Sequence, residues 1–233
     1  MTIDYIEPEN KRQIMETLMK FLTDLNRNNN REWFNDNHQR YEESLEQMLF
    51  FTGVMIQEIH KFDPGIPLMS PKDCLFRIYR DVRFSNDKRP YKTHMGSYLA
   101  PGGRKSNRAG YYLHIQPGNS IIAGGIWVPE AEPLKALRME IKDNPEEFLE
   151  ILNDKKFKRY YSSIEGEKLK TAPKGFDKDF RYIDLLRYKS YSFSTRLGDD
   201  QVLNGDFIHY SVEACQALYP MNRFLNAALD KWL

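Results

Sequence analysis

Cysteine is scarce in this 233-residue sequence: Cys74 and Cys215 are the only two, with no CxxC pair and no histidine nearby. That argues against a disulfide framework or a thiolate zinc site and leaves two reduced thiols among bulky apolar neighbours. Long hydrophobic runs are missing as well, since nothing approaches the roughly 18 consecutive apolar residues of a membrane-spanning helix. The start carries Asp4, Glu7, Glu9, Lys11, Arg12 and Glu16 before any apolar run, the reverse of a secretory leader. A cytoplasmic chain with no membrane partner is expected. Neither sign of charge dominates: 34 Lys and Arg face 33 Asp and Glu for a net +1, which excludes a protein that coats long duplexes by charge alone. There is no GxGxxG or GxxxxGK[ST] string, no GxSxG elbow and no HExxH, so a dinucleotide fingerprint, a P-loop and nucleophilic triads have no support, and cofactors are unknown. Repeats, low-complexity tracts and long linkers are also absent, and residues 1–233 read as one domain.

What the chain does have is a local concentration of positive charge. Phe76 to His94 holds six cations, and from Lys72 to Arg108 ten Lys or Arg stand against three acids, Asp73, Asp81 and Asp87. A surplus of seven inside a chain of net +1 leaves −6 for everything else. Charge gathered in this way produces a directional field.

The elements around that segment follow from periodicity. Ile14, Leu18, Phe21 and Leu25 make the stripe of one helix, ended by the polar run Asn26 to Asn30. Asn30 is placed to cap a second helix carrying Phe34, Tyr41, Leu45, Met48, Met55 and Ile59 as far as Asp63-Pro64-Gly65. Leu75 to Tyr79, Tyr111 to Gln116, Ser120 to Trp127 and Tyr188 to Thr195 read as strands. Pro117-Gly118-Asn119 joins the middle two as an antiparallel hairpin. In that hairpin Leu113 and Ile115 share one face, and Tyr112, His114 and Gln116 the other. Gly124-Gly125 reads as a strand bulge, and Pro101 to Gly110 as a mobile loop. Helices are expected over Pro133 to Ile141 and from Asn144-Pro145 to Leu152, with a final pair split at Pro220. The expected fold is α+β: a mainly antiparallel central sheet flanked by N-terminal and C-terminal helices.

Phe76 to His94, then Gly110-Tyr111-Tyr112-Leu113-His114-Ile115 and Gly124-Gly125-Ile126-Trp127-Val128-Pro129-Glu130, closely resemble the uncharacterised family known as domain of unknown function 2461. Asn28 to Phe34, Lys189-Ser190-Tyr191 and Tyr219-Pro220 extend the likeness over nearly the whole chain, with Tyr191 where that family's pattern has Phe. The resemblance implies a single cytoplasmic domain and brings no catalytic assignment.

Function must then be read from the residues. Arg77, Arg80 and Arg83 recur every third position and Lys88, Arg89 and Lys92 follow. Guanidinium forks and mobile ammonium heads suit phosphate or carboxylate. The first reading is a basic pocket for a small phosphate- or carboxylate-bearing ligand, held by Arg77, Arg80, Arg83, Lys88 and Lys92, with Tyr112 as a further contact. In an enzyme, Asp81 or Asp87 would serve as base and His94 or His114 as acid or base. The second reading is a module for single-stranded nucleic acid using Arg104, Lys105 and Arg108 as well. The third is an interaction protein whose basic segment is an internal salt-bridge network built on Asp81 and Asp87. Asp81, Asp87, His94, His114 and Glu130 lack metal-ligand spacing, and no metal is expected. Oligomeric state is not legible.

Overall fold

The computed structural model describes residues 8–233; the charged residues Asp4 and Glu7, and the side chains of Glu9, Lys11 and Arg12, lie outside the described residues. The first helix, α1, spans Pro8–Arg27, and its stripe Ile14, Leu18, Phe21 and Leu25 is buried. Asn30 caps the next helix by accepting the Trp33 N–H at 2.9 Å. The single long helix expected there is two, α2 over Arg31–Asp36 and α3 over His38–Phe62. The break falls at Asn37, whose side-chain amide donates to the Trp33 carbonyl at 2.9 Å and so satisfies one of the carbonyls that a helix end leaves without partners.

A short α4, Pro71–Cys74, leads into the basic segment. Leu75 to Tyr79, expected as a strand, is not one: it forms only the single bridges Leu75↔Ser97 and Tyr79↔Tyr91, with a bend at Ile78. Pro90, beside Tyr91, has no N–H with which to continue a ladder. Strand β1, Met95–Leu99, carried too short and glycine-broken an apolar run to be read in advance. A 3₁₀ turn at Gly103–Lys105 precedes β2, Gly110–Ile115, and β3, Ser120–Ile126. Helices α5 (Ala131–Asp143), α6 (Pro145–Asn153), α7 (Lys155–Tyr160) and α8 (Ile183–Leu186) lead to β4, Tyr191–Leu197. A short α9, Asp199–Val202, precedes α10, Phe207–Trp232. Helix α10 runs unbroken through Pro220. The missing N–H lies on the solvent side, where Pro220 and Gln216 are both exposed, so the orphaned Gln216 carbonyl can turn to water.

The four strands form one antiparallel sheet in the order β1-β2-β3-β4, and the architecture is α+β. Helices α3 and α10 cover one face. Thr52 of α3 hydrogen-bonds Ser97 of β1 at 3.2 Å, and Tyr111 donates to Asp63 at the end of α3 at 2.8 Å. Asn222 of α10 accepts the Gly125 N–H and donates to the Gly110 carbonyl, each at 3.0 Å, tying the helix to β3 and β2 at once. Leu113 and Ile115 point into this buried layer, as the alternation required.

The glycine pair is not a bulge. The β3–β4 ladder passes straight through it, with Gly124 opposite Phe193 and Gly125 opposite Ser192. Both glycines are there for close approach, since a Cβ on Gly124 would collide with Leu218 of α10 and one on Gly125 with the Tyr191 carbonyl oxygen.

Candidate functional site

The sheet's other face bears no stacked helix layer among the described residues, and the register sets its side chains in rows. Tyr98, Tyr112, Ala123 and Ser194 are successive cross-strand partners, and Gly96, His114, Ile121 and Arg196 form the next row. The first row, with Ile121 of the second, floors a cavity of about 710 Å³, large enough for a metabolite-sized molecule. Its walls come from outside the sheet: Phe76, Lys92 and His94 on one side, Arg104 with Ser106 to Arg108 at one end, and Trp127 to Glu130 with Glu165 on the other. Trp127 is 66% exposed at the rim. Its neighbour Val128 has φ 44°, a left-handed conformation that strains a β-branched residue and is held by the Val128 N–H bond to Ser190 Oγ at 2.9 Å. Strain of this kind recurs where a backbone is pinned around a binding site.

Polar groups on the floor are linked. The Tyr112 hydroxyl meets His114 Nδ1 at 2.9 Å, His114 Nε2 meets Gln116 Oε1 at 2.9 Å, and Gln116 Nε2 donates to Thr93 at 3.3 Å. Because Gln116 Oε1 can only accept, His114 carries its proton on Nε2, and Nδ1 accepts a hydrogen bond from the Tyr112 hydroxyl. His94 stacks on His114 with ring centres 4.1 Å apart. Burial first, then repulsion from His114 when it is protonated and from Lys92, drives the His94 pKa down to about 3, and burial also lowers that of His114. Both rings are neutral at physiological pH. Burial raises the Tyr112 pKa to about 12. Ser194 donates a short hydrogen bond to Glu165, while the buried Ser192 hydroxyl has no partner among the described residues.

The cations divide. Arg83 makes a two-pronged pair with Asp81 (2.9 and 2.6 Å), and Asp87 is shared by Arg80 (2.7 Å) and Arg89 (2.8 Å), all at the turn between Tyr79 and Tyr91. These pairs hold both carboxyls below the ordinary carboxylate range, through Arg83 for Asp81 and mainly Arg89 for Asp87. Lys88 donates to the Val82 carbonyl at 3.1 Å. None of these six residues lines the cavity. Lys92 and Arg104 do, and Arg108, though at its edge, is ion-paired with Asp230 at 2.7 Å. Arg104 Nη1 donates to the Lys72 and Asp73 carbonyls at 3.0 and 2.9 Å. The segment expected to be a mobile loop is therefore fastened at Arg104, at Arg108 and by the Ala109–Asn226 bonds. Lys92 packs its ammonium 5.7 Å from the centre of the Phe76 ring and has no carboxylate partner among the described residues. Burial, then the nearby Arg77, lowers its pKa.

Of the residues singled out from sequence, Lys92, His94 and Tyr112 meet at this cavity, with His114 directly behind. Arg77 lies on an adjoining groove. Asp81, Asp87, His94, His114 and Glu130 do not converge, and no group of three or more His, Cys, Asp or Glu among the described residues could hold a metal ion. Tyr98, Ser192 and Ser194 escaped notice. Alternation was their available signal, but their placement depends on strand pairings made far along the chain.

The family model described as conserved hypothetical protein (DUF2461) matches residues 17–224. The chain belongs to the DUF2461 family. No curated protein and no solved structure matches it. The matched span takes in every described strand of this DUF2461 chain and all three groups of residues that wall the cavity. No helix among its described residues is long and apolar enough to cross a membrane.

Proposed function

We propose that this protein binds a small organic molecule bearing a phosphate or carboxylate in the cavity on the open sheet face. The observation that carries the reading is Lys92, a partly buried ammonium with no counter-charge among the described residues, packed against Phe76 at the cavity wall, whose pKa is lowered by its surroundings. A cation kept in such a place at a cost to the fold is a mark of a site that expects an anion. Arg104 is the second charge. Tyr112, Tyr98 and Trp127 offer ring surface to the rest of the ligand, and the neutral imidazoles offer hydrogen bonds without adding charge. The group able to move a proton in this site is Tyr112, through its bond to His114 Nδ1. A cytoplasmic setting belongs to the same reading and is supported by the two unpaired thiols, Cys74 and Cys215.

Arg80, Arg83 and Lys88 drop out of this proposal, since the first two already face carboxylates and the third a carbonyl. The Asp81 and Asp87 pairs suit the internal-network reading of those residues. They also remove charge that a nucleic-acid strand would need, as does the pairing of Arg108 with Asp230.

The test is calorimetric titration of a panel of phosphate- and carboxylate-bearing metabolites against the parent and Lys92→Met. Methionine keeps most of the stem and removes the charge, so a genuine ligand should bind at least tenfold more weakly, the scale of one charged hydrogen bond, about 1.4 kcal/mol or more. Because the ammonium is held against its preference, Lys92→Met should melt no lower than the parent. Unchanged affinity in Lys92→Met would sink the proposal.

A further inference from the structure

Beyond the sheet-face cavity, Phe76, Lys92 and Arg104 form a wall whose far side lines a second concavity of about 600 Å³. Five cations border this groove, namely Lys72, Arg77, Lys92, Arg104 and Lys105, and no acid among the described residues does. None of the five is in an ion pair among the described residues, whereas three arginines a few residues away, Arg80, Arg83 and Arg89, are. The chain therefore neutralises its cations at the neighbouring turn and leaves them uncompensated here, in a molecule of net charge +1. The opposite wall is apolar, built from Leu45 and Leu49 of α3 with Leu75.

The arrangement is constructed by the backbone. Gly103 has φ 65°, and a Cβ there would strike the Asp73 backbone, so only glycine lets the 3₁₀ turn press against the end of α4. That contact delivers Arg104 onto the Lys72 and Asp73 carbonyls through Nη1 alone, leaving Nε and Nη2 without partners among the described residues. Lys105 follows on the same turn. Arg77 and Lys92 stand close enough that Arg77 lowers the Lys92 pKa. Mutual repulsion of this sort is relieved by an anion held between the cations.

We propose that this groove is a binding site for a chain of two or three phosphoryl groups, as in an organic oligophosphate whose non-polar part lies against Leu45, Leu49 and Leu75. One phosphate monoester brings a charge of only about −1.5 to −2 and could engage two or three of the cations. A linked series matches five cations spread along a groove, and the mobile ammonium heads of the three lysines tolerate its flexible backbone. The site stands apart from the sheet-face reading, because Lys72 and Lys105 line the groove alone and Tyr112 lines the sheet-face cavity alone.

The experiment is calorimetric titration of the full chain with inorganic tripolyphosphate, with orthophosphate and a single-stranded oligothymidylate alongside, at two salt concentrations. Tripolyphosphate should bind at least tenfold more tightly than orthophosphate and weaken as salt rises. The exposed pair Lys72→Ala/Lys105→Ala should lose at least tenfold in tripolyphosphate affinity at an unchanged melting temperature, while Tyr112→Phe keeps parental affinity. Absence of tripolyphosphate binding, parental affinity in Lys72→Ala/Lys105→Ala, or tighter binding of the oligothymidylate would each overturn the assignment. A failure of Lys92→Met in the metabolite panel would leave the Lys72 and Lys105 result standing, so the two sites fail separately.

Discussion

Gly125→Ala should lower the free energy of unfolding by about 4 kcal/mol, seen as a fall in the urea midpoint at unchanged slope. Two costs add. Gly125 sits at φ 87°, where any L side chain is strained by roughly 1–2 kcal/mol. The new methyl would also press on the Tyr191 carbonyl oxygen and lie 3.1 Å from Ser192 Cα. Those atoms are backbone of the adjoining strand, so relief requires parting β3 from β4, with loss of ladder hydrogen bonds and of the Asn222 tie that fixes α10 to the sheet. Gly125 and Ser192 also line the sheet-face cavity, so any residual folded protein should bind ligand poorly. A variant as stable as the parent would show that β3 and β4 are not packed as closely as described.

Acidification should destabilise the fold well before its carboxylates titrate. His94 has its pKa driven from 6.5 to about 3. Above pH 6.5 neither folded nor unfolded chain holds the proton, and the ring costs nothing. Below it the unfolded chain takes up a proton that the folded one refuses until about pH 3, so stability declines as pH falls. Each pH unit in that window is worth at most about 1.4 kcal/mol, and the ring is only partly enclosed, so His94 should account for about 2 kcal/mol between pH 6.5 and 4. Asp81 and Asp87 act lower. Their folded values are depressed below 3.8, so the stability they contribute is intact above that pH and is lost only on further acidification. Urea melts of the parent and His94→Phe at pH 7, 5.5 and 4.5 check this. The phenylalanine variant keeps a ring against His114 but should show a slope shallower by about one proton. Equal slopes would place the proton-refusing group elsewhere.

How much of this was legible in advance can be judged residue by residue. The α1 stripe, the Asn30 cap, the β2–β3 hairpin and the opposed faces of Leu113 and Tyr112 follow from local periodicity, and each stands in the structure. The breaks were harder. Pro220 reads as a helix end, yet α10 continues because the orphaned carbonyl faces water; Asn37 reads as helix interior, yet its side chain caps the end of α2. Both outcomes turn on whether a backbone group is solvated or paired, which depends on neighbours that periodicity does not reveal.

The charge segment draws the same line most sharply. Composition alone located the cations between Lys72 and Arg108, and alternation alone put Tyr112, His114 and Gln116 on one side of a strand. Which arginines are spent on Asp81 and Asp87, and which cations are left uncompensated around the two cavities, was decided only when the turn at Gly103 and the bridges to β1 brought Lys72, Lys92 and Arg104 together. Amount and alternation of residues are properties of the chain taken locally. Compensation of charge falls off over a few ångströms of space, and that spacing exists only once distant segments have packed.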